Sequence, residues 1–287
     1  MSIPKGLLPP RQPDTHKGDV GHVFVLAGSV GLTGAATLCS MGALRAGAGL
    51  VTLGIPESLN DLMEVKLTEV MTKPLPETKA RSLSLQALPE IVTFTQHVDV
   101  VALGPGLSRQ TSTGQLVRQA LPKLLKPCVV DADGLNALAG QLQVLKRLTH
   151  PVILTPHPGE MARLTALSRA EVQRDRQRIA EEFAKKYRAV VVLKGHRTVV
   201  ANVDGEVFIN ETGNPGMASG GCGDVLSGMI AGLLGQRLAP FDAARLGVHL
   251  HGLAGDLAAD EVGPVGLLAS DLLDRIPAAI EEYQGVS

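Results

Sequence analysis

The chain has 287 residues, 45% hydrophobic and 19% charged, with 32 glycines, which suits one large α/β domain or two small ones. A net charge of −1 argues against a general nucleic-acid or anionic-membrane surface. The cysteines, Cys39, Cys128 and Cys222, are scattered without metal-ligand spacing, as expected of a reduced, cytoplasmic protein.

Taken in chain order, residues 1–19 form a proline-rich arm with no apolar signal-peptide core. Residues 22–27 (HVFVLA) predict a buried strand, 28–34 a turn, 35–46 a helix and 49–54 a second strand. That is the building block of a parallel sheet. The uncharged stretch 23–44 is long enough to cross a bilayer, but Gly28, Gly31, Gly34 and Gly42 interrupt it. The turn reads G-x-x-G-x-x-G rather than G-x-G-x-x-G, so it does not match the dinucleotide fingerprint. Close helix–sheet packing and ligand contact both remain open for it.

Short helices are expected at 57–65 and 82–96, and a longer one at 113–125. The strand 99–103 runs into Gly104-Pro105-Gly106, and 128–131 into DADGLN. The strand 152–155 runs into PHPGE, and 189–193 into KGHRT. A charged helix is expected over 168–187, and a hairpin around Asp204-Gly205 pairs 198–202 with 206–209. Helices over 241–261 and 270–283 follow. Ligands of parallel α/β sheets sit beyond the carboxyl ends of the strands. Four strands ending in short polar or glycine motifs therefore predict one shared crevice. No linker interrupts the series, so a single domain over 1–287 is expected.

The segment that organises the chain is NPGMASGGCGDVLSG, residues 214–228. Its glycines let backbone N–H groups converge on a ligand. Apolar residues at helical spacing follow, at Val225, Leu226, Met229, Ile230, Leu233 and Leu234. A glycine-rich turn entering a helix is an anion site. Asp224 stands where a phosphate would bind, so it is either a helix cap or a catalytic base. Lys194 can reach a phosphate or be solvated at its strand end. His157 can donate to a ligand or satisfy a turn, and Glu160 can cap a helix. Asp131 and Asp133 can orient Mg²⁺ through water or cap the next turn. Cys222 is a nucleophile or a small packing residue. His249 and His251 point in different directions and do not share a metal. Together the residues suit phosphoryl transfer. Backbone N–H groups would hold the moving phosphoryl, Asp224 would take the hydroxyl proton, and Lys194 with Mg²⁺ would offset the nucleotide's charge.

The segment 220–224 (GGCGD) resembles the G-x-G-D signature of the ribokinase-like superfamily. HKGDVGHVFVLAGS (16–29), TGAA (33–36), ALGPGL (102–107), DADGLN, TPHPGEMARL (155–164), KGHRT and NPGMASGGCGDVLSG narrow the match. In this order they resemble the ADP/ATP-dependent NAD(P)H-hydrate dehydratase family, over residues 5–283. The resemblance implies a three-layer α/β/α sandwich with a mostly parallel central sheet. It implies dehydration of the (6S)-hydrates NADHX and NADPHX to NADH and NADPH, through phosphorylation of the C6 hydroxyl and loss of phosphate. Asp224 would be the base, and Ala35, Gly106 and His157 would touch the hydrate. Lys194, Gly195, His196, Arg197 and Thr198 would bind the nucleotide donor. So would Asn214, Pro215, Gly216, Met217, Ala218, Ser219, Gly220, Gly221, Cys222 and Gly223. The donor would be ADP, or ATP, with Mg²⁺ and no dedicated metal ligands. The family usually carries Thr where Cys222 stands, which removes a hydroxyl donor and leaves the backbone N–H. A homo-oligomer, a tetramer, is implied, as is reliance on a separate epimerase because no fused one is expected here.

Three other readings compete. A vitamin-precursor kinase, acting on a thiazole or pyrimidine alcohol, would share the loop and Asp224. A nicotinamide dehydrogenase needs the glycine spacing that is missing. A nucleotide sensor would not need Asp224.

Overall fold

The protein is described by a computed structural model over residues 3–8 and 10–285. Of the expected arm and domain, residues 1, 2, 9, 286 and 287 lie outside the described residues. The strands are β1 (His22–Leu26), β2 (Leu50–Pro56), β3 (Met71–Leu75), β4 (Val100–Leu103), β5 (Cys128–Val130), β6 (Val152–Leu154), β7 (Val190–Leu193), β8 (Val199–Ala201) and β9 (Val207–Ile209). The helices are α1 (Thr33–Arg45), α2 (Asn60–Lys66), α3 (Leu88–Phe94), α4 (Thr111–Ala120), α5 (Ala132–Leu138), α6 (Pro158–Thr165), α7 (Arg169–Arg174), α8 (Arg176–Tyr187), α9 (Cys222–Gly235), α10 (Pro240–Val262) and α11 (Ala269–Gln284).

The strands form one sheet in the order β3-β2-β1-β4-β5-β6-β7-β8-β9. Pairing is parallel from β3 through β7 and antiparallel for β8 and β9. The apolar runs are continuous because both faces are covered. Val23 and Val25 of β1 join one core, whereas Phe24 and Leu26 join the other. The same alternation splits Val100 and Ala102 of β4 from Val101 and Leu103. Helices α1, α2, α9, α10 and α11 cover the first face, and α3 to α8 cover the second. The result is the expected three-layer sandwich with a mostly parallel sheet.

The order reverses beside β1, whose neighbours are β2 and β4. This switch point opens a crevice at the carboxyl ends of the strands. Gly28, with φ of 83°, lies there and donates to the Pro105 carbonyl (2.8 Å). A Cβ on Gly28 would run into Ile55 and Ala36, whereas Gly31 and Gly34 face open space. The first glycine is thus a packing residue. Several elements differ from expectation, α5 among them. The helix over 168–187 breaks at Asp175, whose side chain caps α8 by accepting from Arg178 N. The stretch 82–96 is α-helical only over α3, with 3₁₀ turns on both sides. Strand β3, of sequence MTKPL, was not expected, because Pro74 and Lys73 suit only an edge strand.

Candidate active site

The site is assembled where β4, β5, β6 and β7 end and α9 begins. Each strand delivers one of the motifs. After β5, Asp131 is 1% exposed and caps α5 by accepting from Ala132 N (2.8 Å). Two more contacts reach its oxygens. Lys194 Nζ, from the end of β7, lies 2.7 Å from Oδ1. The Ser227 hydroxyl of α9 donates to Oδ2 (2.6 Å) and also contacts the Gly223 carbonyl (3.1 Å). One buried carboxylate therefore ties β5, β7 and α9 together. Burial alone would depress the Lys194 ammonium, but Asp131, Glu160 and Asp224 outweigh it and hold its pKa above the ordinary value. A Cβ on Gly223 would sit 3.3 Å from Lys194 Nζ. The ammonium thus lies against the first turn of α9.

Helix α9 is preceded by Gly221, whose φ of 98° only glycine tolerates easily. No side chain caps the helix, so its leading N–H groups are free for an anion. Asp224 sits in this turn without acting as the cap, so the cap reading does not hold. Burial, followed by the nearby Asp131 charge, raises its pKa to about 6, with Lys194 opposing. Such a carboxylate is a workable base near neutral pH. Cys222 is 4% exposed, and burial raises its thiol pKa, so the packing reading fits and the nucleophile reading does not.

After β6, His157 begins α6 through a capping box. Its Nδ1 accepts from Gly159 N (2.9 Å) and Glu160 N (3.3 Å), while Glu160 Oε2 accepts from His157 N (2.8 Å). Nδ1 is therefore occupied, and Nε2 of the exposed ring lies 3.5 Å from Glu160 Oε1. Burial, then Lys194 and Arg163, lowers its pKa and keeps it neutral. Gly106, after β4, is brought against Ala35 of α1. A Cβ on Gly106 would lie 3.1 Å from the Ala35 Cβ and 2.8 Å from the Leu32 carbonyl. The Ser29 hydroxyl donates to the Gly106 carbonyl (2.8 Å). Beside this pair is a cavity of about 460 Å³ lined in part by Ser29, Leu32, Ser108 and Asp133.

The KGHRT turn follows Lys194. Gly195, His196 and Arg197 are exposed and Thr198 is half-buried. The Thr198 hydroxyl donates to the Gly195 carbonyl (2.9 Å), and Arg176 donates to the carbonyls of His196 and Arg197. Across from this turn, Asn214 opens the glycine-rich loop and accepts from Gly216 N (2.9 Å). Pro215, Gly216 and Met217 form one 3₁₀ turn. Ala218 and Gly220 are exposed, Ser219 is half-exposed, and a Cβ on Gly220 would meet open space. The structure thus brings two groups together: Ala35 with Gly106, and Lys194 with Gly223 and Asp224. His251 is buried and donates to the Cys222 carbonyl (2.8 Å), whereas His249 faces Tyr283. The two histidines do diverge. Asp131 as the central tie, Ser227 and Arg176 were not legible beforehand, because their partners are remote in sequence.

Among the described residues no group of three or more metal-ligating side chains forms a metal site, and no helix is long and apolar enough to cross a membrane. Mg²⁺ bound to a nucleotide keeps several waters and needs few protein ligands. The carboxylates here suit that arrangement. Those of Asp131 and Glu160 both act on Asp224, and Glu160 keeps lone pairs to spare.

A family model described as NAD(P)H-hydrate dehydratase matches residues 23–278. A bifunctional NAD(P)H-hydrate repair enzyme from Moorella thermoacetica is 51% identical over 96% of this chain and 52% of its own. The chain thus spans about half the length of that relative. The ADP-dependent (S)-NAD(P)H-hydrate dehydratase of Bacillus subtilis is 35% identical over 98% of this chain and 96% of its own. The crystal structure of a Bacillus subtilis ADP/ATP-dependent NAD(P)H-hydrate dehydratase, co-crystallised with ATP/Mg²⁺, covers 96% of this chain and 94% of its own with a TM-score of 0.82 at 36% identity. A ribokinase from Thermotoga maritima shares the fold, with a TM-score of 0.53 at 13% identity over 90% of this chain and 99% of its own.

Proposed function

The chain belongs to the NAD(P)H-hydrate dehydratase family, and from that footing we propose that it dehydrates the (6S)-hydrates of NADH and NADPH at the expense of ADP or ATP. Asp224 carries the reading. It is a half-buried carboxylate with a pKa near 6, set in an uncapped helix start beside a fixed ammonium. The hydrate's ring lies by Ala35 and Gly106, with its C6 hydroxyl between His157 Nε2 and Asp224. The nucleotide lies along Lys194–Thr198 and Asn214–Gly223. The hydroxyl oxygen attacks the terminal phosphorus as Asp224 takes its proton, and the bridging P–O bond breaks to release AMP from ADP, or ADP from ATP. The N–H groups of residues 220–223 hold the phosphoryl oxygens, and Lys194 offsets their charge. The C6–O bond then breaks with phosphate as leaving group, and solvent water takes the C5 proton as the C5–C6 double bond of the dihydronicotinamide forms. Mg²⁺, when bound, neutralises phosphate charge, and Glu160 would hold it through water.

The bifunctional relatives support partnership with an epimerase, which converts the R epimer that this site does not accept. We place the protein in the cytoplasm as a single domain and as a homo-oligomer, a tetramer. The test is the near-ultraviolet absorbance of the dihydronicotinamide on adding protein and Mg²⁺ to NADHX, with ADP or ATP in parallel. The absorbance should rise only with nucleotide, and faster with the true donor, for which relatives support ADP. A flat trace with both would sink this reading and favour a kinase of a vitamin-precursor alcohol.

A further inference from the structure

The glycine-rich loop is fastened at both ends to one helix, α10. At the beginning of the loop, the Thr212 hydroxyl donates to the His249 carbonyl (2.8 Å). Gly213 N donates to Asp256 Oδ2 (2.8 Å). The Asn214 amide nitrogen donates to Asp256 Oδ1 (3.0 Å) and to the Gly255 carbonyl (2.8 Å). At its end, His251 donates to the Cys222 carbonyl (2.8 Å). The face of α10 is cut away to admit the loop. A Cβ on Gly252 would overlap Thr212, and one on Gly255 would overlap Met217.

We propose that Asp256 is a positioning residue for nucleotide binding, acting through the orientation of Asn214; this rests on the reading of residues 214–223 as the nucleotide loop. An ionised carboxylate only accepts hydrogen bonds, whereas an amide donates on one side and accepts on the other. Asp256 therefore permits one orientation of Asn214, nitrogen toward α10 and oxygen toward the loop. That oxygen accepts from Gly216 N (2.9 Å) and so fixes the 3₁₀ turn at Pro215–Met217. Gly213, with φ of 102°, gives the turn no stiffness of its own, and Gly221 likewise stands in the left-handed region at the other end. A free glycine-rich loop loses much chain entropy on closing around phosphates. The ties to α10 remove that loss before the nucleotide arrives. Asp256 faces Asn214 and Gly213 and is no part of the groups placed on the phosphates.

The experiment compares wild type, Asp256→Asn and Asp256→Glu by calorimetric titration with Mg-ADP and Mg-ATP, and by steady-state kinetics. In Asp256→Asn the nucleotide should bind about tenfold to a hundredfold more weakly, as expected on losing a charge-assisted contact. The KM for the hydrate should stay within about twofold, because the Ala35–Gly106 side is untouched. Asp256→Glu should recover part of the loss. In an Asn214→Ala background, Asp256→Asn should have almost no further effect. Unchanged nucleotide affinity, an additive double variant, or equal loss of nucleotide and hydrate would overturn the proposal. Should Asp256→Asn not fold, Asn214→Asp sets two carboxylates face to face without altering α10, and must weaken nucleotide binding in the same way. Binding is read without turnover. A protein that binds nucleotide but does not dehydrate the hydrate refutes the dehydratase reading alone. A wild type that binds neither nucleotide refutes both.

Discussion

Asp224 takes its proton affinity from its depth in the crevice and from the Asp131 charge, which together raise its pKa to about 6. Acting as a base it must be ionised, so kcat/KM should fall about tenfold per pH unit below about 6 and level off above it. Asp224→Asn should cut kcat by about a hundredfold to ten-thousandfold while nucleotide affinity persists. The sign for stability is opposite. A carboxyl whose folded pKa lies above its unfolded value burdens the folded state while ionised, and the burden lifts as pH falls through about 6. Asp224→Asn should therefore raise stability at pH 8 by on the order of 1–3 kcal/mol, with little gain below pH 4. Thermal melts across that range give the check. The loop and Asp224 were legible in the sequence because they are contiguous and because carboxylates are rare in anion loops. Asp131 was legible only as a capping or cation-orienting residue. Its partners, Lys194 and Ser227, lie 63 and 96 positions away, and no local pattern announces such pairing.

At the scale of elements, α1 and α9 meet along a seam of small residues. A Cβ on Gly42 would press on the Val225 carbonyl at 2.6 Å, and one on Gly232 on the Ala43 carbonyl at 2.5 Å. One on Gly228 would overlap the Cys39 carbonyl. The backbones are therefore nearly in contact, and α9 is set rigidly relative to the switch-point crevice. Gly228→Ala should overpack this seam by about 1–3 kcal/mol and lower Tm by roughly 3–10 °C. Gly34→Ala, on α1 but facing open space, should hold or raise Tm instead, since alanine favours helix. The buried strands were legible as apolar runs ending in motifs. The edge strand β3 and the short α5 were not. The first carries polar and proline residues, and the second is started by a cap whose other contacts dominate. The break at Asp175 was hidden because periodicity continues across it, and only the side-chain cap of α8 marks it.

For the molecule as a whole, a parallel sheet with motifs at the strand ends was enough to predict one crevice. It was not enough to predict how the motifs would group there, Gly106 with Ala35 and Lys194 with Gly223, which depends on the reversal beside β1 and on where α9 enters. The order of the elements also has a consequence for biosynthesis. The sheet is complete once β9 has been made, yet α9, α10 and α11 follow residue 221 and supply most of the cover for one of its faces. At about 5–20 residues per second, the ribosome leaves that face, with Val23, Val100, Ile153 and Val192, covered only by α1 and α2 for several seconds in every round of synthesis. Chains stalled near residue 215 should be cut readily by a brief protease pulse and should bind hydrophobic dye, whereas chains carrying α11 should resist. Equal resistance at both lengths would mean that the half-covered sheet is already stable. The last helices to be made also include the one that holds the glycine-rich loop, so a nascent chain gains its shelter and the setting of that loop at the same moment.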